Sequence, residues 1–554
     1  MTARGILAGA MVLATGISLI ATPLGAQTSA PFAYRPGFHV RNYDIAIDVP
    51  DSGATIHADA TLTVERSASY DTLSLDLLDL TVARVAVNGR PSTFKQTRES
   101  VVVVLPPART GDTTLVEVEY GGTVTDGLIA RRDSARRWTY FGDNWPNRAR
   151  HWIPSLDHPS DKATVTWRVR ASPRQTVVAN GAMVSTRQVP DPHGEPRMEW
   201  VWRESQPIPP YLMVIAAAPL QRYRLGETCV PADGPKCVPQ DVYTAPEQAK
   251  TMPGPFDRAG GIVGLFSHLI GPFPYEKLAH VQSSTRYGGM ENASEIFYAD
   301  GAFRRGTMND DLIAHETAHQ WFGDAVTERQ WPHVWLSEGF ATYFAALWDQ
   351  AARGDSAFRT RMRAIRETIL RDSVSVTRRP VIDTIETVLM RLLNRNSYEK
   401  GGFVLHMLRT QVGDSAFFRA LRAYYAEHRN STALTDDLQA AMERTSGQKL
   451  DWFFNQWLRR PGYPELDARW RYDRQTHEAV IDVRQTARFG TFGAPLLIGV
   501  VDSLGGEHRA MLPLTADTDL HSIRIESPTM PSAVLLDPNV TLLAAMRLTP
   551  LPPQ

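Results

Sequence analysis

Residues 309–343, NDDLIAHETAHQWFGDAVTERQWPHVWLSEGFATY, are the most informative stretch of this chain. Positions i and i+4 of a helix lie on one face, so His315 and His319 can bind one metal ion together. Glu316 then lies beside that ion without ligating it. Eighteen residues separate His319 from Glu338, which falls within an apolar helical segment, where an unpaired carboxylate is costly to bury. The pattern predicts one Zn²⁺ per chain, bound by His315, His319 and Glu338.

The alternative is that the H-E-x-x-H spacing arose by chance, and its context argues against this. Asn309 and Asp310 can cap a helix, and neither Pro nor Gly interrupts the run before Gly323. Two imidazoles and one carboxylate leave a coordination position open to water, as in catalytic zinc sites. Zinc lowers the pKa of bound water to roughly 7, so we predict hydrolysis with Glu316 as general base and then general acid.

Two further motifs lie on either side of this stretch. YGGMENAS surrounds Glu291 upstream, and NSYEKGG surrounds Tyr398 downstream. Together with HETAHQWFGD and WLSEGFATY, in this order, they resemble the aminopeptidase N and leukotriene hydrolase family of zinc peptidases, peptidase family M1. The resemblance extends from about Tyr43 to the C-terminal region.

The resemblance implies a metallo-aminopeptidase whose substrates are peptides with a free N-terminus. Glu291 is expected to pair with the α-ammonium, so that the first peptide bond is cut. Tyr398 is the candidate donor to the oxyanion opposite the metal. Glycines at 288 and 289 let the backbone approach an extended substrate closely. The predicted substrate-binding set is therefore Gly288, Gly289, Met290, Glu291 and Asn292.

One position departs from the family pattern. Trp145 stands five residues before Arg150, where members with aminopeptidase activity usually carry a Glu or Gln that helps to hold the substrate amine. Either Asp143 or Asn144 replaces that residue through a local shift, or amine recognition rests more heavily on Glu291. A Trp at this position also suits the wall of a pocket.

Three other functions remain open. A zinc endopeptidase would follow if Trp145 has removed the amine anchor. An epoxide hydrolase on the same metal is implied by the leukotriene branch of the family, although nothing in the sequence indicates a lipid channel. A catalytically silent peptide-binding module is the third alternative. The presence of Glu316, the three metal ligands and Tyr398 argues against it.

The amino-acid composition indicates an ordinary globular protein and gives no sign of a strongly charged partner. The chain has 554 residues, of which 43% are apolar and 21% charged, as in ordinary globular proteins. The net charge is −1 and the pI is near 7.0, which provides no basic field for nucleic acid or an anionic membrane. The sequence does not determine an oligomeric state.

The N-terminus predicts export. Arg4 precedes an apolar run of about 16 residues, ILAGAMVLATGISLIA, and cleavage is expected after Ala26. The run is shorter than the roughly 20 residues that span a membrane, so no stable membrane anchor is expected, the alternative being an uncleaved anchor. Cys229 and Cys237 would form a disulfide in an oxidising compartment, whereas in the cytosol they would be idle thiols or weak metal ligands. We predict a periplasmic or extracellular protein.

Hydrophobic periodicity divides the chain after the signal peptide, residues 1–26, into three parts. Residues 27–222 alternate with period two between turn signals, which predicts an N-terminal antiparallel β domain. Helical patterns dominate residues 223–460, and strand patterns return in residues 461–554 as a C-terminal β-sandwich. The resemblance adds a saddle-like shape for the first domain and a thermolysin-like α/β catalytic domain for the second. The predicted fold class is multidomain α+β.

Overall fold

The first part of the chain forms strands because its apolar residues alternate. In the first strand Tyr43, Ile45 and Ile47 are buried, while the residues between them are partly exposed. The computed structural model describes residues 37–190, 194, 196–230, 237–251 and 254–552, so the predicted signal peptide lies outside it. The strands are β1 Phe38–Asp48, β2 Thr55–Arg66, β3 Thr72–Asp76, β4 Thr81–Val87, β5 Arg90–Pro91, β6 Phe94–Gln96, β7 Ser100–Val104, β8 Thr113–Thr123, β9 Leu128–Arg132, β10 Trp138–Gly142, β11 Ala163–Ala171, β12 Thr176–Ala179, β13 Ala182–Val189, β14 Arg197–Ile208 and β15 Ile215–Ala218.

These strands form three sheets. The largest has eight strands in the order β13-β14-β11-β1-β2-β8-β4-β5, and the others have the orders β12-β15-β10-β9 and β3-β7-β6. The large sheet is antiparallel as predicted, except that β1 and β11 pair in parallel. Parallel neighbours need a long connection, and the segment between β1 and β11 contains nine other strands, which is long enough.

A mixed sheet of five strands follows in the chain. Its strands are β16 Gln221–Cys229, β17 Cys237–Thr244, β18 Leu278–Ser283, β19 Gly289–Met290 and β20 Glu295–Ala299, in the order β16-β17-β18-β20-β19. The boundary predicted between residues 222 and 223 falls inside β16, whose residues continue the strand pattern of the preceding part. Strand β19 lies at the edge of the sheet, antiparallel to β20, so one side of it is free of sheet partners.

The helices surround the predicted metal ligands. They are α1 Ala259–Ile270, α2 Asp300–Arg305, α3 Asp310–His319, α4 Trp335–Arg353, α5 Asp355–Arg371, α6 Gly401–Val412, α7 Asp414–His428, α8 Thr435–Ser446 and α9 Asp451–Leu458, and a short pair of strands, β21 Val326–Glu328 and β22 Ser431–Ala433, lies among them. Every residue of α4 from Trp335 to Asp349 is buried, as its apolar sequence requires.

Helices α4 and α6 make a close backbone contact. A Cβ atom built on Gly339 would lie 2.9 Å from the carbonyl carbon of Gly401, so neither position has room for a larger residue. This contact brings the turn at residues 396–400, which precedes α6, against the first turn of α4. Tyr398 reaches Glu338 as a result, although 60 residues separate them in the sequence.

The last part of the chain is a β-sandwich, as predicted. Its strands are β23 Glu465–Asp473, β24 Glu478–Gln485, β25 Ala494–Val501, β26 Glu507–Leu514, β27 Leu520–Glu526, β28 Ala533–Leu536 and β29 Ala545–Pro550, in sheets of order β27-β24-β23-β29 and β26-β25-β28. The multidomain α+β class is confirmed. Among the described residues no helix has both the length and the apolar character needed to span a membrane.

Candidate active site

Helix α3 carries the first two predicted ligands. Asn309 caps its N-terminus, because the Asn309 side-chain oxygen accepts a hydrogen bond from the Leu312 main-chain N–H at 3.0 Å. His315 and His319 follow one turn apart, and their Nε2 atoms lie 3.2 Å from each other. The i, i+4 spacing therefore points both nitrogens at the same place, as the sequence predicts.

Glu338, in the first turn of α4, carries the third predicted ligand atom. Its Oε2 is buried without a regular hydrogen bond and lies 3.4 Å from Nε2 of His315 and of His319. A tetrahedral ion with bonds of about 2.0–2.1 Å separates its ligand atoms by about 3.4 Å. The three separations match that value, so the donor set fits a metal of this size and geometry.

The orientation of His319 is fixed by groups that the sequence alone did not single out. Its Nδ1 lies 2.9 Å from the Ser337 hydroxyl and 3.2 Å from the main-chain oxygen of Phe322. Partners on the second ring nitrogen are typical of metal-ligating histidines, because they set the tautomer and the ring plane. Ser337 directly precedes Glu338 in WLSEGFATY, and that adjacency was the only available signal for it.

Carboxylates concentrate negative charge around these ligands. Burial acts in the opposite direction, yet the carboxylates of Glu291, Glu338 and Glu316 raise the pKa of His319 well above its usual value. Burial likewise opposes ionisation of Glu338, but its contacts with His315 and His319 lower the pKa of Glu338 to about 2. The site therefore favours added positive charge, which a divalent cation would supply.

Glu316 lies between the metal ligands and strand β19. An oxygen of Glu316, an oxygen of Glu291 and a ring nitrogen of His319 all lie within 4.8 Å of one another. A Cβ atom on Gly289 would lie 2.2 Å from Glu316 Oε1, so this placement of the carboxylate uses the absence of a side chain there. Burial foremost raises the pKa of Glu316 well above its usual value.

Gln320 links α3 to the segment that carries Glu291. Its side-chain N–H donates to the main-chain oxygen of Glu291 and to Asp324 Oδ2, both at 2.9 Å, and its Oε1 accepts from the Ser294 main-chain N–H at 2.8 Å. Glu291 is thereby held at a fixed place beside the ligands. No pattern in the sequence indicated this role for Gln320.

Tyr398 lies in the site, but its hydroxyl has a partner other than the one predicted. The hydroxyl donates to Glu338 Oε1 at 2.8 Å, and the ring stacks near His315 with centroids 6.0 Å apart. Tyr398, which was expected to donate to the oxyanion, thus donates instead to Glu338 Oε1, the carboxylate oxygen that does not face the two histidines. The hydroxyl reaches the reaction centre from the side of α6.

A cavity of about 440 Å³ opens over these residues. Its wall includes Trp145, Tyr287, Gly288, Gly289, Met290, Glu291, Asp311, His315, Glu316, His319, Glu338, Arg361, Leu393 and Tyr398. Four of the five predicted substrate-binding residues therefore line it. Asn292 does not line the cavity, and its side chain is fully buried.

Trp145 occupies the wall where the family pattern has an amine-binding residue. Asp143 cannot replace that residue, because its carboxylate is fully buried and pairs with Arg286 Nε at 2.9 Å. Asn144 is also fully buried, and its side-chain N–H donates to the Met213 main-chain oxygen at 2.7 Å. Neither residue lines the cavity, so Trp145 stands there without a substitute carboxylate.

Comparisons with known proteins agree with this arrangement. The peptidase M1 N-terminal domain matches residues 39–212, and the peptidase family M1 domain matches residues 264–457. Aminopeptidase N of Streptomyces lividans is 27% identical over 456 residues, which cover 77% of this chain and 52% of that protein. Aminopeptidase N of Lactococcus lactis is 24% identical over 485 residues, covering 80% and 53% of the two chains. The chain spans about half the length of these curated relatives.

Solved structures show the same fold. A point mutant of an M1 zinc metallopeptidase from Deinococcus radiodurans superposes with a TM-score of 0.67 at 26% identity, covering 76% of this chain and 94% of that one. The aminopeptidase A of Legionella pneumophila, at 19% identity and a TM-score of 0.78, covers 93% of this chain and 60% of its own, and supports the fold alone. Two family models match in chain order, and a solved metallopeptidase shares both fold and sequence, so this chain belongs to peptidase family M1.

Proposed function

We propose that this chain is a zinc-dependent aminopeptidase that removes the N-terminal residue of peptides. The observation that carries the proposal is the convergence of three ligand atoms, 3.2–3.4 Å apart, in a cavity that also contains Glu316 and Glu291. The matched relatives are named aminopeptidases, and the Deinococcus radiodurans metallopeptidase has been solved with a Tyr-Ser-Ala substrate.

His315, His319 and Glu338 would hold the zinc. When bound, zinc in such a site polarises a carbonyl and makes water more acidic. Glu316 takes the proton from the attacking water and later delivers it to the leaving amine. Its position within 4.8 Å of the ligand atom of His319 supports this role.

Glu291 would bind the substrate ammonium. It lies on the cavity wall and is anchored through Gln320, while Asp143 and Asn144 are engaged elsewhere. A single carboxylate near the metal positions the first peptide bond, rather than an internal one, over the ligands. Trp145 closes the wall behind this residue with its indole packed edge-on against Tyr287.

Tyr398 would stabilise the tetrahedral oxyanion. To do so the hydroxyl must exchange its 2.8 Å hydrogen bond to Glu338 Oε1 for one to the substrate oxygen. The exchange replaces one charge-assisted hydrogen bond with another, so its net cost is small compared with the gain in the transition state.

We also propose that the protein is exported, to the periplasm or beyond the cell. Cys229 and Cys237 occupy paired positions of β16 and β17 and form a disulfide. Such bonds persist in oxidising compartments, which supports the export prediction from the N-terminal sequence. Cell fractionation of the full chain, with a Cys229→Ser variant assayed beside it, tests the compartment and the bond separately.

The decisive experiment compares one peptide series, with free and with N-acetylated termini. Wild type, Glu316→Gln, Glu291→Ala and, as a surface control, Glu367→Gln are assayed with and without a zinc chelator, and zinc content is measured by mass spectrometry. We expect sequential loss of N-terminal residues from free peptides only. Both site variants and the chelator should abolish turnover, while Glu316→Gln should keep its zinc.

Other results of the same experiment would favour one of the alternative functions. Internal cleavage of acetylated peptides at the same rate would refute the aminopeptidase assignment and favour an endopeptidase. Peptide binding without cleavage, insensitive to chelator, would favour a silent binding module. Loss of zinc in Glu316→Gln would contradict its placement outside the ligand set.

A further inference from the structure

A second cavity, of about 680 Å³, has none of the predicted metal ligands in its wall. It forms where the loop after α5 meets the segment between α9 and β23 and the loop between β24 and β25. Its wall includes Ser373, Thr377, Arg378, Arg460, Arg488 and Phe489. Three guanidinium groups and two hydroxyls therefore face it, and none of the described residues that line it is acidic.

Arg460 is held in place by neutral partners. Its Nη2 donates to the Phe489 main-chain oxygen at 2.9 Å, and its guanidinium lies 4.8 Å from the centre of the Phe492 ring. Gly490, at φ +78°, leaves room for this contact, since a Cβ there would lie 3.0 Å from Arg460 Nη2. The charge of Arg460 is thus positioned without being neutralised.

Phe489 and Arg488 form the opposite wall. A Cβ on Gly462, at φ +82°, would lie 2.3 Å from the Phe489 ring, so the backbone there is shaped to accept the ring. Arg488 packs over that ring at 4.7 Å and donates to Glu465 Oε1 at 3.0 Å. Arg378 is exposed, and no hydrogen bond or ion pair of its side chain involves another residue in the described part of the chain.

The balance of charge around the cavity is positive. Of the nearest acids, Glu465 pairs with Arg488, and Asp372 accepts main-chain N–H groups, including that of Ser375 at 2.6 Å. Behind the wall, the Nζ of the fully buried Lys400 donates to the main-chain oxygen of Arg460 at 3.4 Å. Burial foremost, with a smaller contribution from the Arg460 charge, lowers the pKa of Lys400 to about 7.

We propose that this basic cavity binds a phosphate monoester, carried either by a soluble small molecule or by a lipid headgroup. Guanidinium groups match phosphate oxygens in bidentate geometry, and hydroxyls such as those of Ser373 and Thr377 donate to a remaining oxygen. A phosphate monoester carries about −1.5 to −2 charge at neutral pH, enough to balance the excess of arginine. The basic cavity shares no lining residue with the proposed active site, so the phosphate proposal does not depend on the aminopeptidase proposal.

The test measures binding to the full-length protein by titration calorimetry. The probes are inorganic phosphate and glycerol phosphate, with acetate at matched ionic strength as the singly charged control. Arg378→Ala removes one cavity guanidinium, and Arg363→Ala removes an exposed arginine of α5 that does not line the cavity. We expect saturable phosphate binding that Arg378→Ala weakens about tenfold and Arg363→Ala leaves unchanged. Neither arginine holds a packed contact, so both variants should fold.

Sedimentation with vesicles distinguishes the two sources. Phosphatidic acid presents a phosphate monoester on a membrane, and phosphatidylcholine vesicles serve as control. Binding of the soluble probes alone assigns a small-molecule ligand, and Arg378-dependent binding of phosphatidic acid vesicles alone assigns a headgroup. The proposal is overturned if neither binds, or if Arg363→Ala weakens binding as much as Arg378→Ala, since the effect would then be general surface charge.

Discussion

Removal of the Ser337 hydroxyl should weaken metal binding without abolishing it. Since Nε2 of His319 is the predicted zinc-binding atom, Nδ1 carries the proton and donates it, and the Ser337 hydroxyl at 2.9 Å is the nearer of its two acceptors. In Ser337→Ala the main-chain oxygen of Phe322, at 3.2 Å, remains as the second acceptor. The loss is therefore one shared hydrogen bond, about 1 kcal/mol, or about fivefold in zinc affinity.

The assay is competition for zinc against a chelator of known affinity, with bound zinc measured directly. At saturating zinc, Ser337→Ala should retain most of its activity, because the hydroxyl does not contact substrate. Ser356→Ala, an exposed serine on α5, serves as the matched control and should match wild type. An unchanged affinity would show that Phe322 alone orients His319. A loss beyond a hundredfold would mean that Ser337 supports the fold of the site as well.

Three further predictions concern other parts of the molecule. Tyr398→Phe should lower kcat by ~10²–10³ at unchanged zinc content if its hydroxyl serves the oxyanion, and an unchanged kcat would remove that role. Breaking the Cys229–Cys237 bond, which closes a loop with a sequence separation of 8, should lower stability by about 2–3 kcal/mol, and equal melting temperatures with and without reductant would contradict this. Burial lowers the pKa of Lys162 from 10.5 to about 7, so the unfolded chain binds its proton more tightly. The free energy of unfolding of wild type, relative to Lys162→Met, should therefore rise with pH between these two values, and parallel denaturation profiles would refute the buried titration.

The metal centre was predictable because its information is local in sequence. The i, i+4 spacing of His315 and His319 fixes both nitrogens on one helical face, whatever surrounds the helix. Glu338 was recognisable in the sequence as a carboxylate within an apolar run. The structure places its Oε2 at 3.4 Å from Nε2 of each histidine. The fold class was predictable for the same reason, because the spacing of apolar residues along the sequence differs between strands and helices.

The supporting groups were not predictable, because they depend on contacts between distant segments. Whether Asp143 faces the cavity or pairs with Arg286 is decided by a residue 143 positions away. The hydrogen bond from Tyr398 to Glu338 requires the close crossing of α4 and α6 at their glycines.

Sequence by itself thus predicted the ligand set and determined the family and the succession of β, α/β and β parts, because these depend on spacing and periodicity. Only the tertiary structure decided which carboxylates face the cavity, what hydrogen-bonds to His319 Nδ1, and where three arginines surround a second cavity. Each of those depends on which side chains neutralise one another once burial has removed them from water, and pairing of that kind is a property of the packed molecule.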